Sequence, residues 1–219
     1  MKKILISTFA AMFITSNALA ASFGVSAAAL YYDASGSETT KTSGEKNNKS
    51  ETGLAPILSV FVEQELDNGV TVGLDLMPYS GEVGTGSMNS DDDIETAGTN
   101  KVDVNFKNHV TLYADFPINY FDGGYLKAGV HQVTVETDDK LSTGSKYGDE
   151  DLNGFMLGVG KRGDTSAGGF YKVEGLISLY EGGTFNAATG GNTTGDDSVF
   201  NKVELDDLIT VGIKVSAGF

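Results

Sequence analysis

The chain has no cysteine. An exported domain of this size without disulfides must rest on its core, or on a backbone ladder closed on itself. Proline is scarce, at 3 residues, so long stretches are free to pair as strands. No segment approaches the about 20 consecutive apolar residues of a membrane-spanning helix. If the chain crosses a membrane, it must do so as a closed barrel, since only helices and barrels satisfy their backbones in lipid. Basic residues are few: 15 Lys and Arg against 30 Asp and Glu, a net charge of −15. That balance excludes a nucleic-acid partner, which requires a basic surface.

What the chain does have is glycine, 29 residues, and alternation. From Leu208 to Phe219, Ile209, Val211, Ile213, Val215, Ala217 and Phe219 are apolar, while Thr210, Gly212, Lys214, Ser216 and Gly218 lie between them. A period of two is a strand with one greasy face and one wet or crowded face. The start of the chain gives the compartment. Lys2 and Lys3, the apolar run Ile4 to Ile14 and the Ala18-Leu19-Ala20 end read as a secretory leader. Residues 1–20 are therefore expected to be removed, leaving one domain, 21–219.

Seven more alternating segments precede the last. They begin with Ser22–Asp33, where Phe23, Val25, Ala27, Ala29 and Tyr31 share a face. Leu54–Leu66 and Val70–Met77 flank Asp67-Asn68-Gly69. Opposing Leu66 to Val70 also opposes Val62 to Leu74 and Glu65 to Thr71, and makes a three-residue turn with Gly69 in the left-handed position. Val102–Phe116 reads as uninterrupted, with Val102, Val104, Phe106, Val110, Leu112, Ala114 and Phe116 on one face and Asn108 its only polar member. Tyr125–Glu136 starts with Leu126, Ala128 and Val130, then slips, since Gln132 and Thr134 fall where apolar residues should be. The slip implies a bulge near His131 or Gln132, or exit from the membrane there. Leu152–Lys161 and Phe170–Tyr180 complete the set. Residues 34–52, 79–101, 137–151 and 181–198 read as long solvated loops, and 67–69, 117–124 and 162–169 as short turns.

The fold class expected is all-β, an eight-stranded antiparallel up-and-down transmembrane barrel with four long extracellular loops and three short periplasmic turns. The even strand count, the long–short alternation and the terminal Phe219 resemble the small bacterial outer-membrane barrels of the outer-membrane protein A and X type. The resemblance implies an outer-membrane location and lipid around the barrel. It also implies an assembly signal in the last strand, read by the barrel-assembly machinery through Val211, Ile213, Val215 and Phe219. Aromatics near strand ends on the apolar face (Phe23, Tyr31, Phe116, Phe155, Tyr171, Phe219) suit interfacial girdles, with Phe106 a mid-strand exception.

With the apolar faces toward lipid, the other faces fill a narrow interior. Glu63, Asp75, Lys107, His109, Asp115, Lys127, Lys172, Glu174 and Lys214 are then expected to form an interior polar network, because unpaired buried charge is costly. His109 and His131 would face each other without an evident third metal ligand. No nucleophile, base and orienting acid stand out. The chain is expected to be no enzyme, to hold no cofactor or resident metal, and to be a monomer. Acidic stretches such as Asp91-Asp92-Asp93 with Glu95 lack the spacing of a calcium loop and read first as a solvated, repulsive rim, with weak binding of divalent cations as partners the alternative. The expected role is structural or surface-interacting, with the interior plugged. A narrow channel for small solutes or ions is one alternative. A soluble exported ligand-binding barrel is the other, and it would need the apolar faces inward.

Overall fold

The computed structural model describes residues 21–39, 46–90, 98–140, 145–189 and 202–219. Residues 1–20, expected as a leader, and the stretch Asp91-Asp92-Asp93 with Glu95 lie outside them. The described residues form β1 (Ser22–Thr39), β2 (Lys46–Glu65), β3 (Thr71–Leu76), β4 (Gly81–Ser90), β5 (Gly98–Pro117), β6 (Gly124–Lys140), β7 (Ser145–Tyr147), β8 (Glu150–Asp164), β9 (Phe170–Tyr180), β10 (Gly183–Thr189) and β11 (Lys202–Gly218).

These elements make eight wall strands, because three are interrupted. β3 and β4 pair successively with β5 on either side of Met77–Ser80. β9 and β10 pair successively with β11, from Tyr180 opposite Leu208 to Gly183 opposite Leu205. β7 precedes β8 and pairs with β10. All ladders are antiparallel, and β1 with β11 closes the ring. Closure reaches the end of the wall, where Phe23 and Phe219 exchange backbone hydrogen bonds at 3.0 and 3.1 Å.

The turn chemistry acts as the local sequence requires. Leu66 opposes Val70, Glu65 opposes Thr71 and Val62 opposes Leu74. Gly69 has φ +80°, which glycine adopts without steric penalty. Residues 118–124 and 165–169 close the other two hairpins at the same end as Phe23 and Phe219.

The described parts of the four stretches expected as loops are largely strand. β1 and β2 stay in register from Ser35–Ser50 out to Thr39–Lys46, and β4 with β5 from Gly81–Phe106 to Ser90–Gly98. A ladder that leaves lipid has water on its outer face and needs no apolar alternation there. Polar residues could therefore continue the strands unseen in the pattern.

The apolar faces point outward along the half nearest the short turns. Val25 is 61 % exposed, Leu58 62 %, Leu157 62 % and Ile213 64 %, while Ser26, Ser59, Glu63 and Lys172 are buried. The end-of-strand aromatics Phe23, Tyr31, Phe116, Phe155, Tyr171 and Phe219 all lie on this exposed face. A soluble barrel with its apolar faces inward is thereby excluded for this half.

Farther from the turns the sides exchange character. On β6 the outward Gln132 donates to Asn153 at 3.2 Å and Thr134 to Asp151 at 2.8 Å, while Val133 and Val135 are buried inside with Leu152. β6 holds its register with β8 through this change, so the slip in its pattern marks exit from the apolar belt. The extra residue lies across the ladder on β5, where pairing jumps from Lys107–Thr134 to Val110–Gln132. Asn108, with φ +53°, occupies the bulge. This corrects the uninterrupted reading of Val102–Phe116. Val110, Leu112, Ala114 and Phe116 keep one face, but Phe106 is buried in the interior, with Val104 packed against the same cluster.

Candidate functional site: the barrel interior

The interior is stacked in three levels. At the level of the short turns lies a network of ion pairs. Glu63 on β2 receives Lys172 from β9, Arg162 from β8 at 2.9 Å and the Tyr113 hydroxyl from β5 at 2.7 Å. Lys172 also reaches Asp115 at 2.9 Å. Lys127 on β6 bridges Asp115 at 2.6 Å and Glu174 at 3.0 Å, and the Tyr125 hydroxyl donates to Glu174 at 2.7 Å. Lys214 on β11 pairs with Asp75 on β3. The carboxylates Glu63, Asp75, Asp115 and Glu174 are matched one for one by Lys127, Arg162, Lys172 and Lys214. Charge matching of this kind, with hydrogen bonds to the remaining lone pairs, is what makes buried ions tolerable.

Aromatic rings close the space around these charges. The Lys127 ammonium sits 3.4 Å from the centre of the Tyr113 ring, and the Arg162 guanidinium 3.7 Å from that of Phe170. Tyr113 can lie flat only because Gly73 stands beneath it, where a Cβ would strike the ring.

The middle level holds the histidines. His109 and His131 are 5.4 Å apart between ring centres. His131 stacks on Tyr180 at 4.3 Å with planes 13° apart, and His109 Nε2 lies 3.3 Å from the Tyr180 hydroxyl. Above them is an apolar level built from Tyr32, Ala55, Met77, Phe106, Val133, Val135, Leu152, Phe185 and Leu208, with Tyr180 shared between the two.

Of the residues expected in the interior network, Glu63, Asp75, Asp115, Lys127, Lys172, Glu174 and Lys214 are brought together, and His109 lies on the next level. Lys107 is not among them. It precedes the bulge, on the face opposite to Phe106, and pairs with Glu136 on the outer wall at 2.7 Å. Arg162, Tyr113 and Tyr125 are partners that the sequence reading did not include. Tyr113 and Tyr125 sit at inward positions of their strands, and that parity was their legible signal. Val211, Ile213, Val215 and Phe219 form an exposed apolar row on β11.

A closed antiparallel barrel with an apolar belt outside and matched charges inside is an outer-membrane type of β-barrel fold. No protein-family model and no curated protein match the sequence. Solved structures do match. The outer membrane protein OprG from Pseudomonas aeruginosa aligns over 90 % of this chain and 96 % of its own, with TM-score 0.52 and 11 % identity. The outer membrane protease OmpT from Escherichia coli aligns over 90 % and 96 %, with TM-score 0.46 and 12 % identity. Ail, the attachment invasion locus protein of Yersinia pestis, aligns over 90 % and 99 %, with TM-score 0.32 and 14 % identity. These likenesses concern the fold. The expectation that the chain is no enzyme is withdrawn, because a barrel architecture does not by itself exclude catalysis. At 12 % identity the match assigns no activity to this chain.

Proposed function

We propose that the chain is an integral outer-membrane barrel of a Gram-negative bacterium, exported by a cleaved leader and monomeric. Its role is structural or surface-interacting, and its interior is a seal against solutes. The observation that carries this reading is the double closure inside the wall: self-neutralising ion pairs at one level, a buried apolar cluster at another. Either alone would obstruct an eight-stranded lumen, which side chains suffice to fill. In this reading the outward row Val211, Ile213, Val215 and Phe219 is the strand offered to the assembly machinery.

Single-channel recording in planar bilayers tests the seal. The expected record at neutral pH is silent, and steps of porin size would overturn the reading. Fractionation tests the location. The folded chain is expected in the outer-membrane pellet, with gel mobility that changes on boiling, and recovery in the soluble periplasmic fraction would refute it.

A further inference from the structure

We propose that the His109–His131 pair is a proton-operated latch, so that acidification opens a small conducting path through a barrel closed at neutral pH. The proposal rests on the sealed-interior reading and goes beyond it.

The pair sits where the two seals meet. Next to it is an internal cavity of about 50 Å³, room for water, lined by both histidines, Tyr180, Asp75, Lys214 and Lys127 among others. His131 is 5 % exposed, and its Nε2 has no hydrogen-bond partner. That nitrogen, beside such a space, can take up a proton together with water once the pH is low enough to overcome the burial of the ring.

The surroundings decide what a proton does there. From β3 the pair faces Asp75, already held by Lys214 of β11. From β6 comes Lys127, engaged by Asp115 and Glu174. β5 contributes Tyr113, and β9 contributes Tyr180. The facing residues of β1, β2 and β8 that line the cavity, Ala28, Leu30, Ile57, Ser59 and Met156, carry no charge. Every carboxylate within this shell is therefore already committed to a cation. An imidazolium adds positive charge to a neutral enclosure, beside a second imidazole and the Lys214 ammonium. Its cheapest relief is hydration and separation of the rings.

Separation is transmitted directly. His131 stacks on Tyr180, and Tyr180 belongs to the apolar cluster, 6.4 Å from Phe106 between ring centres. Moving that stack admits water to the one level that no charge hydrates.

The test is bilayer recording of the full mature chain at about pH 7.5 and about pH 3, beside the His109→Gln/His131→Gln variant. The wild type is expected to be silent at neutral pH and to show small steps in acid, with mean conductance raised at least about tenfold. The variant should stay silent at both. Silence of the wild type at both pH values overturns the latch and leaves the seal intact. Conductance already present at neutral pH overturns the seal. Equal acid steps in wild type and variant overturn the latch, since the network carboxylates would then be responsible. Amide exchange of the wild type supplies a second measurement should the variant not fold. Protection at Val133 and Leu152, corrected for intrinsic rates, should fall at least about tenfold on acidification, and unchanged protection overturns the proposal.

Discussion

The Tyr79 hydroxyl accepts the backbone N–H of Leu58 at 2.5 Å, taking the place of a strand that has turned away. The β2–β3 ladder ends at Val60 opposite Leu76, and Pro78 follows. Among the described residues β4 has ladder partners only on β5, so β2 has an open edge beyond that point. Backbone donors on one edge of a strand recur at every second residue. After Leu58 the next is position 56, and Pro56 has no N–H. One donor is capped by a phenol and the next is missing, which lets the edge stand in lipid, where an unmet amide is costly.

Tyr79→Phe should therefore destabilise the barrel by about 1–3 kcal/mol, the cost of a buried donor left unmet. Pro56→Ala, which restores an N–H at the same edge, should also destabilise. Urea unfolding in phospholipid vesicles, followed by the gel shift between folded and unfolded forms, measures both. Unchanged midpoints for both variants would show that water already reaches this edge.

Glu63 joins three donors from three strands, so its loss is expected to be the most damaging single change in the network. Glu63→Gln leaves Lys172 buried with only Asp115 as counter-charge, and about 3–5 kcal/mol should be lost. The paired replacement Glu63→Met/Lys172→Met should recover part of that loss, because no unpaired ion remains. The same unfolding assay, run as a double-mutant cycle, reads the coupling.

Asn108 holds a left-handed backbone that β-branched residues resist. Asn108→Gly should be tolerated within about 1 kcal/mol, whereas Asn108→Val should cost more. Deleting Asn108 removes the bulge and forces Phe106 outward or His109 away from His131. Loss of the folded gel form is the expected result of the deletion. A deletion variant as stable as the wild type would contradict the bulge.

Beyond the apolar belt, Lys202 holds the Glu204 carboxyl below its ordinary range, chiefly by a hydrogen bond at 2.5 Å and then by its charge, with Lys46 adding to the effect. A carboxyl with a lowered folded value stabilises the fold above its unfolded value and loses that contribution as pH falls through the lowered one. The pair is exposed, so the effect should be small and weakened by salt. Carbon-13 NMR titration of the Glu204 carboxyl should give a midpoint below that of an unpaired glutamate, and Glu204→Gln should leave neutral-pH stability nearly unchanged.

Much of this architecture is local and can be read along the chain. Asp67-Asn68-Gly69 fixes a turn, the turn fixes Leu66 opposite Val70, and the alternating residues of β2 and β3 follow by parity. The same logic carried Glu63, Asp75, Lys172 and Lys214 to the interior. It misplaced Phe106 and Lys107 because a bulge reverses parity, and nothing in Val102–Phe116 announces one.

The sequence by itself determined the period of two, the three tight turns and the segregation of charged from apolar faces, since each depends on neighbouring residues and backbone geometry. Only the closed tertiary structure decided which inward residues meet charge and which form the apolar cluster. Lys127 and Val133 both point inward on β6, yet one joins the ion pairs and the other the apolar cluster. Parity gives the side of the wall; the level along the barrel, set by pairing with distant strands, decides whether that inner face meets charge or other apolar side chains.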